Sequence, residues 1–245
     1  MESKGIELHT FTIIGRCEKT GMLGIGMATS SPAVGSRCPF IKPGLGAVSV
    51  QAIAAPKVGM LAMNLLGQGH SAQGVLNILK DSDPYIDYRQ IGIIDSDGRI
   101  AVMTGKNNFQ WAGHIVGKSY IAMGNVLAGE HVVKAIASAY EKGANEALEE
   151  RLMAAIEAGR DAGGQPEGQT SAHLLVYDRQ PYPYVDLRVD AHTEPVGELR
   201  RIFNWFKPLI PYYSMRSVDP RIPRYKDWLK EQGFREWTAT EKPSK

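Results

Sequence analysis

The chain opens with two stretches in which apolar and polar positions alternate, which is the period of a β-strand. These stretches are Leu8–Arg16 and Met22–Thr29, joined by the polar turn Glu18–Gly21. The arrangement predicts a β-hairpin in which Thr10 begins the first strand and Ser30-Ser31 follows the second. Glycines at positions 24 and 26 weaken a strand unless another part of the chain approaches closely. We therefore expect this hairpin to lie at a tightly packed centre of the fold.

Beyond the hairpin, strand-like and helix-like periods follow one another in blocks. Alternating runs predict further strands at Leu45–Ala52, Tyr88–Asp95, Arg99–Thr104, Ser119–Gly124, Ala172–Asp178 and Tyr184–Asp190. Apolar residues spaced three and four apart predict one helix pair that begins at Pro56 and after Ser71, and a second pair around Val132 and after Asn145. A last helix is expected from Thr193 to about Trp205, and glycine- and proline-rich loops at Ser30–Gly44 and Gly159–Gln169.

This order of elements predicts the fold class and the division of the chain. Hairpins favour antiparallel strands and the helices come in pairs, so we expect an α+β fold with two sheets packed face to face between helical layers. The predicted parts are an arm at 1–9, one domain at 10–207, and an extension at 208–245 that packs on the domain or on a partner subunit. Aromatic residues, which are enriched in interfaces, make a homo-oligomer the expected assembly; they are Trp205, Tyr212, Tyr213, Trp228 and Trp237.

Composition and charge narrow the functional classes. The apolar fraction is 43%, which predicts a buried core, and the formal net charge of +2 without a basic block argues against a nucleic-acid partner. No apolar run approaches the ~20 residues of a membrane span, and the N-terminus lacks a secretion signal pattern. Cys17 and Cys38 are too few for a disulfide framework, so we expect a soluble cytoplasmic protein.

The usual sequence motifs of catalytic and cofactor sites are missing. The six histidines have no metal-ligand spacing, and neither a phosphate-binding glycine loop nor a GxSxG elbow is present, so neither a metal nor a cofactor is expected. A threonine that begins a strand offers another route, because a free α-amine with a pKa of about 7.7–8.0 can accept the proton of its own hydroxyl. The alternative is that Thr10 is an ordinary strand residue.

Several segments, taken in order, resemble the bacterial and archaeal family called domain of unknown function 1028. They are TFTIIGR (10–16), ATSSPAVG (28–35), GLGAVSVQA (44–52), RQIGIIDSDGRIAVMTG (89–105), WAGHIVG (111–117), GNVLAG (124–129), GRDAGGQPEGQTSAHLLV (159–176) and YVDLRVDAHTEPVGELRR (184–201). The resemblance runs from Thr10 to about Asp219. It implies a four-layer αββα sandwich of the N-terminal-nucleophile hydrolase type, which agrees with the order of elements above.

The resemblance also implies an activity and a set of site residues. The activity is hydrolysis of an amide-type C–N bond in a small-molecule substrate, with Thr10 as nucleophile. In this scheme Asn125 and Gln51 orient the substrate or its oxyanion, and Asp161 holds the amine of Thr10. Arg89 or Arg188 would bind a substrate carboxylate. The further expected substrate-binding residues are Ser30, Ser31, Gln169 and Ser171. For Asn125 and Asp161 the structural alternative is a turn or cap role, and for Asp186 and Arg188 it is a cross-strand pair.

The nine residues before Thr10 leave three functional hypotheses open. In the intact chain the nitrogen of Thr10 is a peptide nitrogen, and His9 stands where self-cleaving relatives commonly carry glycine. The first hypothesis is an amide hydrolase that loses this arm. The second is a hydrolytic deaminase, or an isomerase, of a small unsaturated acid that works without a free N-terminus. The third is a non-catalytic binding or assembly protein on the same fold.

Overall fold

The computed structural model describes residues 9–234, and the chain divides into two compact units, Met1–Leu199 and Arg200–Lys245. In the first unit the strands are β1 Thr10–Arg16, β2 Leu23–Thr29, β3 Pro39–Lys42, β4 Gly46–Ala52, β5 Arg89–Asp95, β6 Ile100–Thr104, β7 Gly113–Val116, β8 Tyr120–Asn125, β9 Ser171–Tyr177 and β10 Val185–Val189. The helices are α1 Pro56–Gly67, α2 Ala72–Ser82, α3 Glu130–Lys142, α4 Leu148–Asp161 and α5 Pro195–Phe206, the last of which contains the boundary between the units.

The strands of the described chain form two antiparallel sheets. Sheet A has six strands in the order β10-β9-β2-β1-β8-β7, and sheet B has four in the order β3-β4-β5-β6. The β1–β2 hairpin therefore occupies the middle of the larger sheet, as its pattern predicts. The predicted α+β class with two antiparallel sheets is confirmed.

Apolar clusters show how the sheets and helices are layered. Residues of both sheets, among them Ile14, Met27, Ala47, Ile94 and Met123, form one buried cluster between the two sheets. A second cluster joins the opposite face of sheet B to α1 and α2, whereas α3 and α4 pack on the strands of sheet A. The order of layers is helix, sheet, sheet, helix.

The glycines of β2 have a steric reason that agrees with the expectation of close packing. A Cβ atom at Gly24 would lie 2.4 Å from Leu152 Cδ1, and one at Gly26 would lie 2.7 Å from Ile156 Cδ1. Real Cβ atoms do not approach other carbons this closely. The glycines therefore provide the space into which two side chains of α4 project.

The structure contains two short strands that the sequence pattern did not predict. β3 lies inside the predicted loop at 30–44, and β7 follows the turn at Trp111. Both are four residues long and lie at sheet edges, so each has one paired neighbour and too few residues for a clear alternation. Two helix starts also differ, since α4 begins at Leu148 rather than Asn145, and α5 at Pro195, a residue suited to a first helical turn.

The second unit consists of helices around a small core of its own. After the end of α5 come α6 at Ile210–Val218 and α7 at Tyr225–Glu231. Their core contains Leu209, Tyr212, Trp228 and Leu229. The aromatic residue Trp237 of the sequence prediction lies outside the described residues. No helix among residues 9–234 is both long and apolar enough to cross a bilayer.

Candidate functional site

A row of buried polar side chains crosses the end of sheet A at Thr10. In the strand register Thr10 is opposite Thr29 on one side and Asn125 on the other, and Thr29 is in turn opposite Ser171. Directly opposed residues project from the same face of a sheet. That face looks toward sheet B, because Thr12, two residues along β1, bonds to Gln51 of β4. We call Ser171, Thr29, Thr10 and Asn125 the polar row.

Two buried glutamines of sheet B connect this end of the sandwich. The Thr12 hydroxyl donates to Gln51 Oε1 at 2.6 Å, and Gln51 Nε2 donates to Gln90 Oε1 at 2.9 Å. Gln90 Nε2 donates to Thr104 Oγ1 and to the carbonyl oxygens of residues 113 and 124. Asn125 Nδ2 also donates to Gln90 Oε1, at 3.2 Å. This amide network links both sheets directly beneath Thr10, whose own carbonyl accepts from Gln51 Nε2 at 3.4 Å.

The peptide carbonyl immediately before Thr10 has an unusual number of hydrogen-bond donors. The His9 oxygen accepts from the backbone N–H of Ser30 at 3.2 Å, from Gln165 Nε2 at 3.3 Å and from the hydroxyl of Thr29. The Thr10 and Thr29 hydroxyl oxygens are 3.1 Å apart. Because a hydroxyl has one proton and that of Thr29 points to His9, Thr10 is the donor in this contact. The carbonyl is thereby polarised, as in an oxyanion site.

Three predicted substrate-binding residues support this arrangement from the loops. The Ser171 hydroxyl donates to the Ser31 carbonyl at 2.7 Å and accepts from the N–H of Val34 at 3.0 Å, so it holds the loop after β2. Gln169 Nε2 donates to Gln165 Oε1 at 2.7 Å, which orients the Gln165 amide toward His9. Ser30 contributes its backbone N–H. The Ser31 hydroxyl accepts from Arg37 rather than facing Thr10.

The hydrogen bonds and ion pairs described for Asp161 and for the two predicted arginines go to residues other than Thr10. The Asp161 side chain is 65% exposed and pairs with its neighbour Arg160 at 2.8 Å. Arg89 is buried, where its guanidinium donates to Asp83 at 3.1 Å and to the Ile53 carbonyl. Arg188 pairs with Asp190 at 3.2 Å. These charged groups are occupied by protein partners, so a carboxylate clamp at Arg89 or Arg188 has no support in the contacts.

A histidine–aspartate pair explains the polar residues of the last hairpin. His173 is buried on β9 and its Nε2 lies 2.7 Å from Asp186 Oδ1 on β10. The hydrogen bond with His173 holds the pKa of Asp186 below its usual range. Asp186 therefore bonds diagonally across the two strands to His173, whose directly opposed residue is Arg188. Asp186 and Arg188 lie on the same strand and are not a cross-strand pair.

Several residues of the site were not among those singled out in the sequence. They are Thr12, Thr29, Gln90, Asn108 and Gln165. Two of them could have been predicted from strand geometry. Thr12 lies two residues from Thr10 on the same face of the strand, and Thr29 is the residue opposite Thr10 across the hairpin. The others become recognisable only once the two sheets are stacked.

A cavity of about 490 Å³ lies at the end of β1 opposite to Thr10. Its lining includes Cys17, Tyr120, Glu141 and Arg151. Burial by itself would raise the pKa of Cys17, but hydrogen bonds from Thr20 and the backbone, together with nearby Arg151, lower it. This cavity is separated from Thr10 by the full length of β1, so it is distinct from the polar row. Within the described part of the chain, no group of His, Cys, Asp or Glu side chains could hold a metal ion.

Comparison with protein families assigns the chain to a group. The model of the Family of unknown function (DUF1028) matches residues 10–199, a span that begins at Thr10 and ends with the first structural unit. The chain belongs to this family. As a DUF1028 member it matches the crystal structure of a DUF1028 protein from Silicibacter pomeroyi with 28% identity and a TM-score of 0.76, over 90% of this chain and 93% of that one.

More distant structural similarities also occur. Anbu (ancestral beta-subunit) from Yersinia bercovieri aligns with this DUF1028 protein at 12% identity and a TM-score of 0.41, over 87% of this chain and 98% of that one. An Anbu mutant from Hyphomicrobium sp. strain MC1 gives 12% identity and a TM-score of 0.40, over 88% and 99% of the respective chains. No curated protein gives a significant match.

Proposed function

We propose that this DUF1028 protein hydrolyses a C–N bond of amide type in a small molecule, with Thr10 as nucleophile after the preceding residues have been removed. The observation that carries the proposal is the set of donors on the His9 carbonyl: the Ser30 N–H, the Thr29 hydroxyl and the Gln165 amide. Such donors stabilise the negative charge that develops when a carbonyl is attacked.

The first step would act on the chain itself. The Thr10 hydroxyl oxygen adds to the His9 carbonyl carbon, the C–N bond breaks, and the nitrogen of Thr10 takes up the proton. The resulting ester between His9 and Thr10 is then hydrolysed by water, which releases residues 1–9 as an acid and leaves Thr10 with a free amine. Each donor to the oxyanion contributes about 10²–10³ in rate in comparable sites.

The second step would use the same groups on a substrate. The free amine accepts the hydroxyl proton of Thr10, while the donors that held His9 become available to the substrate carbonyl. The Thr29 hydroxyl, 3.1 Å from Thr10 Oγ1, orients the attacking hydroxyl, whereas the carboxylate of Asp161, to which the resemblance gives the role of holding the amine, pairs with Arg160. The carbonyl of Thr10 stays fixed through Gln51, and Asn125 lies beside it in the register.

Intact mass and ammonia release from small primary amides test this proposal on the full chain. We expect the wild-type protein to lose residues 1–9 and to release ammonia, Thr10→Ser to retain part of both activities, and Thr10→Ala to stay uncut and inactive. Thr20→Ala, in the exposed hairpin turn, is the matched control and should behave as wild type. Hydrolysis at an unchanged rate by Thr10→Ala would overturn the assignment of the nucleophile.

A second candidate follows from the state of Thr10 in the intact chain. Its nitrogen is bonded to His9 and the residue is only 3% exposed, so a deaminase that needs no free amine is the alternative. Ammonia release from a small unsaturated amino acid by a chain that remains full length would favour this alternative. Failure of both the uncut and the cut chain to react with either class of substrate would favour the non-catalytic hypothesis.

A further inference from the structure

A small cavity lies beside the polar row, at the ends of β4 and β8. Its volume is about 10 Å³, and its lining includes Asn125, Asn108, Ala52, Val126, Tyr88 and Phe109. A volume of this size accommodates one water-sized group such as an NH₃⁺ or an NH₂, so only the nitrogen end of a larger molecule would enter it. The backbone bends sharply at its wall, since Ala52 has φ 67° and Val126 has φ 50°, values that are unfavourable for residues with a Cβ atom. We call this cavity the asparagine pocket.

The orientation of the Asn125 amide is fixed by its neighbours. Gln90 Nε2 lies 3.0 and 2.9 Å from the carbonyl oxygens of Gly113 and Gly124, which only accept hydrogen bonds, so this atom is the amide nitrogen. Gln90 Oε1 is then an acceptor, and the Asn125 atom that faces it must be the amide nitrogen. Asn125 Oδ1 is left buried without a protein partner.

Asn108 leads to the same result by a separate set of contacts. Its Nδ2 donates to the carbonyl oxygens of Arg89 and Gly105, at 3.0 and 2.8 Å, so the opposite atom is the amide oxygen. This Oδ1 is also buried and without a protein partner. Asn125 is 1% exposed and Asn108 is 7% exposed. A buried oxygen without a donor costs about 1–3 kcal/mol, and here two such oxygens belong to residues that line one cavity.

We infer that the asparagine pocket binds a nitrogen group that carries N–H donors, either an ammonium or the NH₂ of a primary amide, and rejects a carboxylate. Both amide oxygens are acceptors, so only a donor can satisfy them. The guanidinium of Arg89, whose carbonyl contacts Asn108, bonds to Asp83 and to the Ile53 carbonyl, so it is not available as a counter-charge for a carboxylate. That the pocket holds the nitrogen side of a substrate rests on the proposed function. Binding of a nitrogen group to the pocket does not itself require catalysis.

The test measures binding to the full chain with Thr10→Ala, so that turnover cannot interfere. Methylammonium chloride, acetamide and sodium acetate are titrated at constant ionic strength while the side-chain amide signals of Asn108 and Asn125 are followed by NMR. We expect saturable shifts with methylammonium or acetamide and none with acetate. Methylammonium alone would identify a cation site, and acetamide alone a neutral amide site.

One variant and its control test whether the probes bind at the Asn108 oxygen. Asn108→Ala should weaken binding about fivefold or more, which is the loss expected for one hydrogen bond of about 1 kcal/mol. Asn64→Ala, on the exposed face of α1, is the matched control and should bind as the parent does. If Asn108→Ala does not fold, the preference of the parent chain for the nitrogen probes over acetate still tests the inference. Equal shifts with acetate, or no shift with either nitrogen probe, would overturn the inference.

Catalytic measurements separate this inference from the proposed function. If the cut chain hydrolyses primary amides, Asn108→Ala should raise KM about fivefold with little change in kcat, and an unchanged KM would refute the pocket. If no amide is hydrolysed but the nitrogen probes bind, the proposed hydrolase fails while the pocket stands.

Discussion

At the scale of single residues, buried amides determine the geometry around Thr10. Gln90 accepts from Gln51 and Asn125, its two amide protons are shared among three oxygens within hydrogen-bond distance, and it is completely buried. One side chain thus satisfies groups of both sheets. Because each buried polar group has a defined direction, the network fixes which atoms remain available to a ligand.

This role predicts a large effect of Gln90→Met, a change that keeps the length of the side chain. The carbonyl oxygens of Gly113 and Gly124 would lose the Gln90 donor, Asn125 Nδ2 would lose its acceptor, and Gln51 Nε2 would keep only its longer bond to the Thr10 carbonyl. Each buried unsatisfied group costs about 1–3 kcal/mol, so we expect the free energy of unfolding to fall by at least about 3 kcal/mol in urea denaturation. The control Gln73→Met, which removes an exposed bond to Asn77, should change it by less than about 0.5 kcal/mol.

Sequence reasoning at this scale reaches Thr10 but not its surroundings. The strand pattern puts Thr10 at the start of the hairpin, and the resemblance marks Asn125 and Gln51, which the structure places beside it. It also marks Asp161, which lies at the last turn of α4 with an exposed carboxylate. Strand register is local and can be counted from the turn, whereas the position of a helix end relative to a sheet depends on packing that no short motif contains.

At the scale of elements, one carboxylate joins α2 to the β5–β6 hairpin. Asp95, the last residue of β5, accepts from the N–H of Ala72 at 3.0 Å, the first residue of α2. It also accepts from the backbone and the side chain of Arg99, at 2.9 and 2.8 Å. Burial alone would raise the pKa of Asp95, but the hydrogen bonds from Ala72 and Arg99 outweigh it and hold the pKa below its usual range.

We expect Asp95→Asn to destabilise the fold in a pH-dependent way. Near pH 7 it places an NH₂ group against N–H donors and removes charged hydrogen bonds, for a loss of about 3 kcal/mol. Since the folded pKa is below the unfolded value of about 3.9, the stabilisation is complete above about pH 5 and is lost as the pH falls through the folded pKa. The difference in unfolding free energy between wild type and variant should therefore shrink below about pH 4.

The neighbouring aspartate provides the control for that experiment. Asp97 is 66% exposed and pairs with Arg99 at 2.7 Å, and exposed ion pairs contribute little. Asp97→Asn should leave both the stability and its pH dependence close to wild type. An acid profile of Asp95→Asn parallel to that of wild type would contradict the assigned role.

The strands that could be predicted from the sequence are more deeply buried than the two strands that could not. The predicted strands β1, β2 and β5 are seven residues long and buried along almost their whole length, so their apolar positions form runs long enough to detect. The short edge strands β3 and β7 have half-exposed or exposed residues throughout. Their formation depends on backbone pairing with β4 and β8, which leaves no hydrophobic period to detect.

At the scale of the whole molecule, the second unit has buried and exposed aromatic residues with different roles. Tyr212 and Trp228 belong to its own core, so they cannot serve a partner. Trp205, Tyr213, Met215 and Val218 are exposed large hydrophobic residues. Exposed large apolar residues are a feature of protein interfaces, and aromatic residues and methionine are enriched there.

We therefore propose that a second copy of this chain covers the exposed residues of α6, and we expect an oligomer in sedimentation of the full-length protein. Tyr213→Ser combined with Met215→Ser should shift the protein to a smaller species, because the loss of buried apolar area weakens association. Truncation after Asp219, which removes Trp228 and Leu229 from the core of the second unit, should do the same. Tyr85→Ser, an exposed aromatic of the first unit, should leave the size unchanged. A full-length monomer, or an oligomer that survives both changes, would show that this surface does not hold copies of the chain together.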